Sequence, residues 1–397
     1  MAVAERTRRT VAVKKQTGFN TPASGAGAQL LRRTSIDVRE QRATIASDEV
    51  ISSLQQRDVR QGSISAPGTL TGRLSPLTYA DLMASGLRKA LVAGSTSGAQ
   101  VNVTAAAGPP GTFTRGAGSW ITDGFRVGDV VRWTGWLSPA TANNATNMRI
   151  TALSATVMTV AETVVARAAG DSVTVTAPGK RVWVPGSLHT ADFWTLEDFF
   201  GDIAISHVYE DVAFGGFTVS LQPDGLAEVS FPFLGSKRTR GTAAVFTSPA
   251  AETSTGLLSS NSGFLRLDGA DSGLVTALSL SVLAPPEALT TIFSKSAGAI
   301  SRAGFAVSGN ITVGFDGDAL PGLFDAESEF ELHVMGTASP AANADFVSFF
   351  MPRVKLGEPV IADSGTSQFV SAPFTALEKA TTTGYEATTI TVQDSLA

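Results

Sequence analysis

Cysteine is absent from the 397 residues. That excludes a disulfide framework, thiolate zinc sites and a cysteine nucleophile. It leaves the compartment open, because a cytosolic or assembled protein needs none. No run of about 18 apolar residues occurs, so no membrane span is expected. Charge is also scarce: Asp, Glu, Lys and Arg make up 16% of the chain, against about 25% in an ordinary soluble domain. A surface with so few charges suits a protein that hides much of it against copies of itself. Histidine is limited to His189, His207 and His333. None stands at metal-ligand spacing from another, and each reads as a strand or loop residue.

What the chain does contain is hydrophobic residues, 43%, and 39 glycines. The first supports real cores and excludes global disorder. The second, with abundant Ala, Ser, Thr and Val, fits short strands joined by tight turns. The length allows two or three domains. Charge is uneven along the chain. Residues 1–100 carry 14 Lys and Arg against 7 Asp and Glu, a net of +7; the rest carry 16 against 28, a net of −12. A basic end and an acidic body permit docking of one copy on the next, and equally permit a solvated surface of two signs. The opening Met1-Ala-Val-Ala-Glu-Arg-Thr-Arg-Arg lacks the apolar core of a secretory signal, so synthesis in the cytoplasm is expected.

Residues 1–30 read as an extended arm, since Gly18-Phe-Asn-Thr-Pro-Ala-Ser-Gly-Ala-Gly has turn residues and no periodicity. Strand-like alternation begins with Ile36, Val38 and Ile45. Ser75 to Leu91 predicts a helix, with Leu82, Leu87 and Leu91 near helical spacing and Thr78 as its cap. The short strands Phe125-Arg-Val-Gly-Asp-Val-Val-Arg-Trp, Asn147-Met-Arg-Ile, Val157-Met-Thr-Val and Ser172-Val-Thr-Val predict a small inserted β-barrel or sandwich over 116–184. The flanking segments, 31–115 and 185–397, then form one larger β domain. Within it, Pro223-Asp-Gly between two alternating runs marks a hairpin. Gly322-Leu-Phe-Asp-Ala suggests a short helical turn. No fixed-period repeat of solenoid or propeller type is present.

The chain carries no His-Glu-x-x-His, nucleophile elbow, Walker loop or dinucleotide fingerprint. Asp316-Gly-Asp318 opens like a calcium loop but lacks the downstream ligands, so a solvated turn is expected. Asp325, Glu327, Glu329 and Glu331 alternate, and on a strand they would share one face. Four carboxylates in register match a charged wall better than one acid and one base. Trp133, Trp136, Trp183 and Trp194 are scattered, which favours core or interface roles over a sugar platform. The basic positions Arg6, Arg8, Arg9, Lys14 and Lys15 lack a recognised nucleic-acid-binding fold around them. No catalytic, cofactor or metal residue is nominated, and no cofactor is expected.

Several blocks, in their order and spacing, resemble the tail tube (major tail) proteins of long-tailed bacteriophages. They are Leu31-Arg-Arg-Thr-Ser-Ile-Asp-Val-Arg-Glu, Arg57-Asp-Val-Arg-Gln-Gly-Ser-Ile-Ser, the helix at Tyr79-Ala-Asp-Leu-Met, Phe193-Trp-Thr-Leu-Glu-Asp-Phe-Phe, Val212-Ala-Phe-Gly-Gly-Phe, Phe231-Pro-Phe-Leu-Gly and Phe350-Met-Pro-Arg-Val-Lys-Leu. Gly124-Phe-Arg-Val-Gly-Asp-Val-Val-Arg resembles a small β module inserted in some members. The resemblance implies a mainly β fold, a tail-tube β-sandwich or half-barrel with one flanking helix plus the inserted module. It implies a non-enzymatic virion protein that polymerises as stacked, hexameric rings, each subunit lending about four strands to an inner barrel through which DNA is ejected. Roughly 24 strands spaced about 4.8 Å and tilted about 40° give a backbone diameter near 45–50 Å and a lumen of roughly 35–40 Å. The implied partners are the chain itself, the tape measure, tail terminator and distal tail proteins, and genomic DNA passing without sequence-specific contact. Asp325, Glu327, Glu329 and Glu331 are candidates for the lumen, with the outer surface equally open to them. Arg6, Arg8, Arg9, Lys14, Lys15 and Phe19, with the loops near 40–70, are candidates for ring-to-ring contact. The alternatives are a capsid decoration or baseplate component, or a carbohydrate-binding β protein.

Overall fold

In a computed structural model, residues 4–49, 52, 53, 55, 56, 58–272, 274–315, 317, 319–364 and 367–397 are described. Period-two alternation organises the molecule around one curled antiparallel wall. In spatial order its strands are Ser35–Val38 continued by Gln41–Ala46, then Val59–Arg73, Glu228–Gly235, Gly216–Leu221, Val275–Leu283, Ala306–Gly314, Ser367–Ala376 and Val360–Ser364. One face is apolar and buried: Leu70, Phe231, Val219, Leu280, Ile311 and Phe374 all lie in the main core. Burying each such side chain contributes about 1.5–3 kcal/mol.

A second layer covers that apolar face. Arg9–Lys15, Trp194–Phe200, Ile205–Phe214 and Lys237–Gly241 form one part of it. Gly263–Leu267, Phe330–Thr337, Phe346–Leu356 and Thr391–Asp394 form the other. Among the described residues there are two α-helices, α1 (Ala80–Gly86) and α2 (Ala319–Asp325). The first is shorter than Ser75 to Leu91 and is capped differently. Its N-cap is Tyr79 without a side-chain bond, while the Thr78 hydroxyl shares hydrogen bonds with Ser75 and Thr253, at 2.7 and 2.6 Å. The second occupies the turn expected at Gly322, so two helices flank the sheets instead of one.

The two halves of the chain trace the same path. Each runs from an outer strand to a wall hairpin, a short helix, an outer hairpin, a second wall hairpin and a last outer strand. The registers match pair by pair. Arg9 lies opposite Phe200 as Gly263 lies opposite Gly336. Leu196 lies opposite Tyr209 as Leu332 lies opposite Met351. Phe214 lies opposite Phe233 as Leu356 lies opposite Phe374, and Thr218 opposite Ser230 as Val360 opposite Ser371. This duplication has no constant period, because one half is interrupted by the inserted module and the loops differ in length.

Two expected boundaries change. Residues 1–30 are not a free arm over their whole length: Arg9–Lys15 pairs with Trp194–Phe200, and Val11 and Val13 are core residues. The turn residues from Gly18 onward follow a seven-residue strand whose central Val11-Ala-Val is buried as a block, without the alternation that marks a strand in sequence. The inserted module also begins before residue 116. Val103–Ala106 pairs with Gly111–Arg115, which pairs in turn with Val157–Val160, in a six-stranded sheet that ends at Thr176. The Gly- and Pro-rich Gly108-Pro-Pro-Gly is a turn inside this sheet, not a linker before it.

The module has its own core, in which Phe113, Trp120, Trp133 and Trp136 stack with centroids 4.4–5.8 Å apart. It is docked on the second half by buried polar contacts. Arg149 is 1% exposed. It donates to both carboxylate oxygens of Asp271, at 2.9 and 2.8 Å, and to Glu162 at 2.6 Å. The Gln393 amide bonds the N–H and C=O of Val130 at 2.8 and 3.0 Å. Gly128, at φ +89°, lies against the Phe350 ring where a Cβ would stand 2.1 Å from a ring carbon.

At this seam His333 is buried, bonded through Nε2 to Ser348 Oγ at 2.7 Å. Burial, reinforced by Arg149 and Arg266, pushes its pKa down from 6.5 to about 3. Neutral His333 therefore stabilises the fold above about pH 6.5, and that contribution fades as pH falls toward 3, at up to about 1.4 kcal/mol per pH unit. His333→Gln should flatten this dependence. Urea midpoints at pH 7.5 and 5.0 test it, and equal losses in the two proteins would count against the role of His333.

Candidate assembly surfaces

The other face of the wall is built from small polar side chains. Reading across the strands in register, Ser35 lies opposite Thr71, Thr71 opposite Ser230, Ser230 opposite Thr218, Thr218 opposite Ser281, Ser281 opposite Ser308, and Ser308 opposite Thr375. Seven strands thus contribute one continuous row of hydroxyls, and the Thr218 and Ser281 hydroxyls share a hydrogen bond of 3.1 Å. The neighbouring rows add Asp37, Thr69, Ser220, Ser279 and Asn310. Arg73 and Glu228, on the same face, neutralise each other at 3.1 Å. The face is wettable and nearly neutral.

The four acidic residues lie elsewhere and do not share a strand face. Asp325 ends α2, and Glu327 follows in a left-handed turn at φ 49°. Phe330–Thr337 begins after Glu329, so of the four only Glu331 is on a strand. Alternation in sequence was therefore not alternation in space, because a helix and a turn precede the strand. Glu329 is held by Arg353 at 2.6 and 2.7 Å, which keeps its carboxyl below the usual range. Glu331 accepts a hydrogen bond from the Tyr385 hydroxyl and lies 3.8 Å from Lys379. These two pairs line an open cleft of about 690 Å³ beside the inserted module. Glu329 and Glu331 are thus each compensated by a neighbouring cation, Arg353 and Lys379.

The basic N-terminal residues are mostly tied to their own chain. Arg9 makes a bidentate pair with Asp198, at 2.7 and 2.8 Å. Lys14 donates to the carbonyls of Ser24 and Ala26, at 2.8 and 2.6 Å, and Lys15 pairs with Asp192 at 2.8 Å. Phe19 packs edge-on against Phe193, 5.2 Å between centroids. Arg6 and Arg8 are exposed, with Arg6 reaching the Thr34 carbonyl at 3.1 Å. Of the six, Arg6, Arg8 and Lys15 are exposed, and Lys15 is the one of these three held by an ion pair.

Exposed apolar side chains mark two hairpins. Ile45 and Val59 stand on the pair Gln41–Ala46 and Val59–Arg73. Ile292 and Phe293 cap the hairpin Pro286–Leu289 with Ala299–Arg302, and Phe293 is fully exposed. Among the described residues, the wall also ends in two unpaired edges. Ser35–Val38 and Gln41–Ala46 pair only with Val59–Arg73, and Val360–Ser364 pairs only with Ser367–Ala376. Open, apolar-bearing edges of this kind are assembly sites or liabilities. Sequence reasoning passed over the hydroxyl face and these edges. The signal was present in Leu278-Ser-Leu-Ser-Val-Leu and Gly216-Phe-Thr-Val-Ser-Leu, whose polar half is all Ser and Thr.

Asp316 and Asp318 lie outside the described residues. Among the described residues, no cluster of three metal-ligating side chains occurs, and no helix is long and apolar enough to cross a membrane. The geometry defines a two-layer β unit with one polar sheet face and two open edges, the form of a structural building block. A family model described as phage tail tube protein matches residues 7–376, nearly the whole chain. The chain belongs to the phage tail tube protein family, and is a structural component of the virion tail. No individual curated protein matches it.

Deleting residues 2–28 would remove a seven-residue paired strand and two core valines. The expected result is loss of cooperative unfolding, not a folded subunit that merely fails to assemble. Thermal melts followed by circular dichroism check this; a sharp transition near that of the full chain would place the N-terminal strand outside the folding unit.

Proposed function

We propose that the chain polymerises as stacked rings into the tail tube, with the hydroxyl-rich wall face turned inward as the channel for DNA ejection. The observation that carries this reading is the continuous Ser/Thr row across seven strands of a curled sheet whose two edges are open. DNA carries a negative charge about every 1.7 Å, so a basic lining would grip it through many phosphate contacts. A nearly neutral, hydrated lining holds it nowhere. Smooth passage then comes from the lack of strong contacts, and the acidic residues 325–331 are not needed for it.

Ring closure satisfies the backbone donors and acceptors of the open edges. Ring-to-ring contact is assigned to the exposed hairpin apices that carry Ile45, Val59, Ile292 and Phe293, with Arg6 and Arg8 as secondary contacts. The tape measure, tail terminator and distal tail proteins would meet the lumen and the two ends of the tube. The chain would be made in the host cytoplasm and act in the virion without catalysis.

Negative-stain microscopy of the purified chain over a range of concentrations tests assembly. Hollow tubes or stacked rings with a central pore are expected; a compact monomer at every concentration, even with tail-tip initiator complexes added, would sink the proposal. The lining is tested by Ser230→Lys with Ser281→Lys. Virions carrying this variant should eject DNA roughly ten-fold more slowly, with a salt-dependent rate. Unchanged ejection from tubes of normal appearance would remove this face from the channel.

A further inference from the structure

The internal duplication dictates how the open edges meet. Inside the chain the two halves join where Gly216–Leu221 pairs with Val275–Leu283. There Val219 lies opposite Leu280 and Thr218 opposite Ser281. Val219 and Leu280 are 3% and 1% exposed, because each strand is shielded by the other. The matching registers identify the counterpart of each strand. Gly216–Leu221 corresponds to Val360–Ser364, since both pair with the following wall strand in the same way. Val275–Leu283 corresponds to Ser35–Val38 and Gln41, since both are the first strand of a wall hairpin. The counterparts of the joined strands are the two edges that have no partner.

We infer that Val360–Ser364 of one copy pairs antiparallel with Ser35–Gln41 of the next, repeating the internal junction, and that three copies close the ring. Carrying the internal register across sets Ile361 opposite Val38, the positions equivalent to Val219 and Leu280. It also sets Val360 opposite Arg39 and Ala362 opposite Asp37. The exposure of Ile361, 51%, then has a cause: its aliphatic partner belongs to the neighbour. The alternation of faces is continuous through this junction, as any strand pairing of the core requires.

The copy number follows from the wall. Each chain supplies eight strand positions, in two sets of four. Three copies give roughly 24 strands, the number that six single-unit subunits would provide, and so a lumen of roughly 35–40 Å. Two copies would give roughly 16 strands and a lumen of only about 22 Å, leaving no water around a duplex. The wall therefore has near-sixfold symmetry while the subunits have threefold. The inserted module occurs in one half of each chain, so a ring bears three outer knobs and not six. This inference rests on the tube reading, and its test separates the two.

The chain has no cysteine, so introduced thiols are unambiguous. Val38→Cys with Ile361→Cys is treated with a short bis-maleimide after assembly, and denatured products are sized. The expected products are covalent dimer and trimer, with the ladder ending at three. Ile361→Cys alone should give at most dimers. Val219→Cys with Leu280→Cys should link within a single chain, as the internal reference for the same geometry. Tubes that give a ladder ending at six overturn the copy number. Tubes that form normally without cross-links overturn the edge pairing and leave the tube reading standing. A folded double variant with neither tubes nor cross-links, alongside a wild-type chain that also forms no tubes, overturns both.

Discussion

The junction between Gly216–Leu221 and Val275–Leu283 is the contact on which the rest of the molecule depends. It turns two similar β units into one continuous wall. Its geometry is unforgiving at Gly216, which sits at φ +110° with the Val282 carbonyl where a Cβ would be, at 1.9 Å. Only glycine meets both the backbone angle and the close approach. Helix α1 then lies directly on this point, because a Cβ on Gly86 would be 3.0 Å from the Gly216 Cα. A glycine-on-glycine contact thus seats the helix against the strand crossing, and α1 is buried along almost its whole length.

Around that junction each strand serves two environments. Phe, Leu, Val and Ile fill the space between the layers, while Ser and Thr occupy the opposite side. β-Branched threonine favours the extended backbone, and its hydroxyl keeps the surface wet without adding charge. The sparse charge of the chain is thereby explained in part by location. Many of its ions are spent in local pairs such as Arg9 with Asp198, Arg353 with Glu329 and Arg149 with Asp271.

The inserted module is held by a different kind of contact. Its seam contains Arg149, His333 and the Gln393 amide, along with the buried pair of Asp129 with Arg181. Burial raises the pKa of Asp129 even though Arg181 opposes the shift. Removing one member of such a pair would strand its partner without water, at a cost of about 3–5 kcal/mol. Apolar contacts of Val130 with Met335 and Phe346 complete the seam. The module is consequently seated in one orientation on the second half.

The sequence by itself determined the class of fold, the positions of most strands, the helix near Leu82 and the family resemblance. Those follow from alternation, turn residues and local order, all of which are properties of short segments. It also excluded thiol chemistry outright. The tertiary structure decided what short segments do not encode. It took Arg9–Lys15 out of a presumed arm, because the partner strand lies nearly 190 residues away in sequence. It separated Asp325, Glu327, Glu329 and Glu331, because a helix and a left-handed turn intervene before Phe330. It gathered Ser and Thr from seven strands into one row, a pattern no single window contains. It also revealed the duplication, since strand register is set by pairing between distant segments, and two halves that share a path need share few residues.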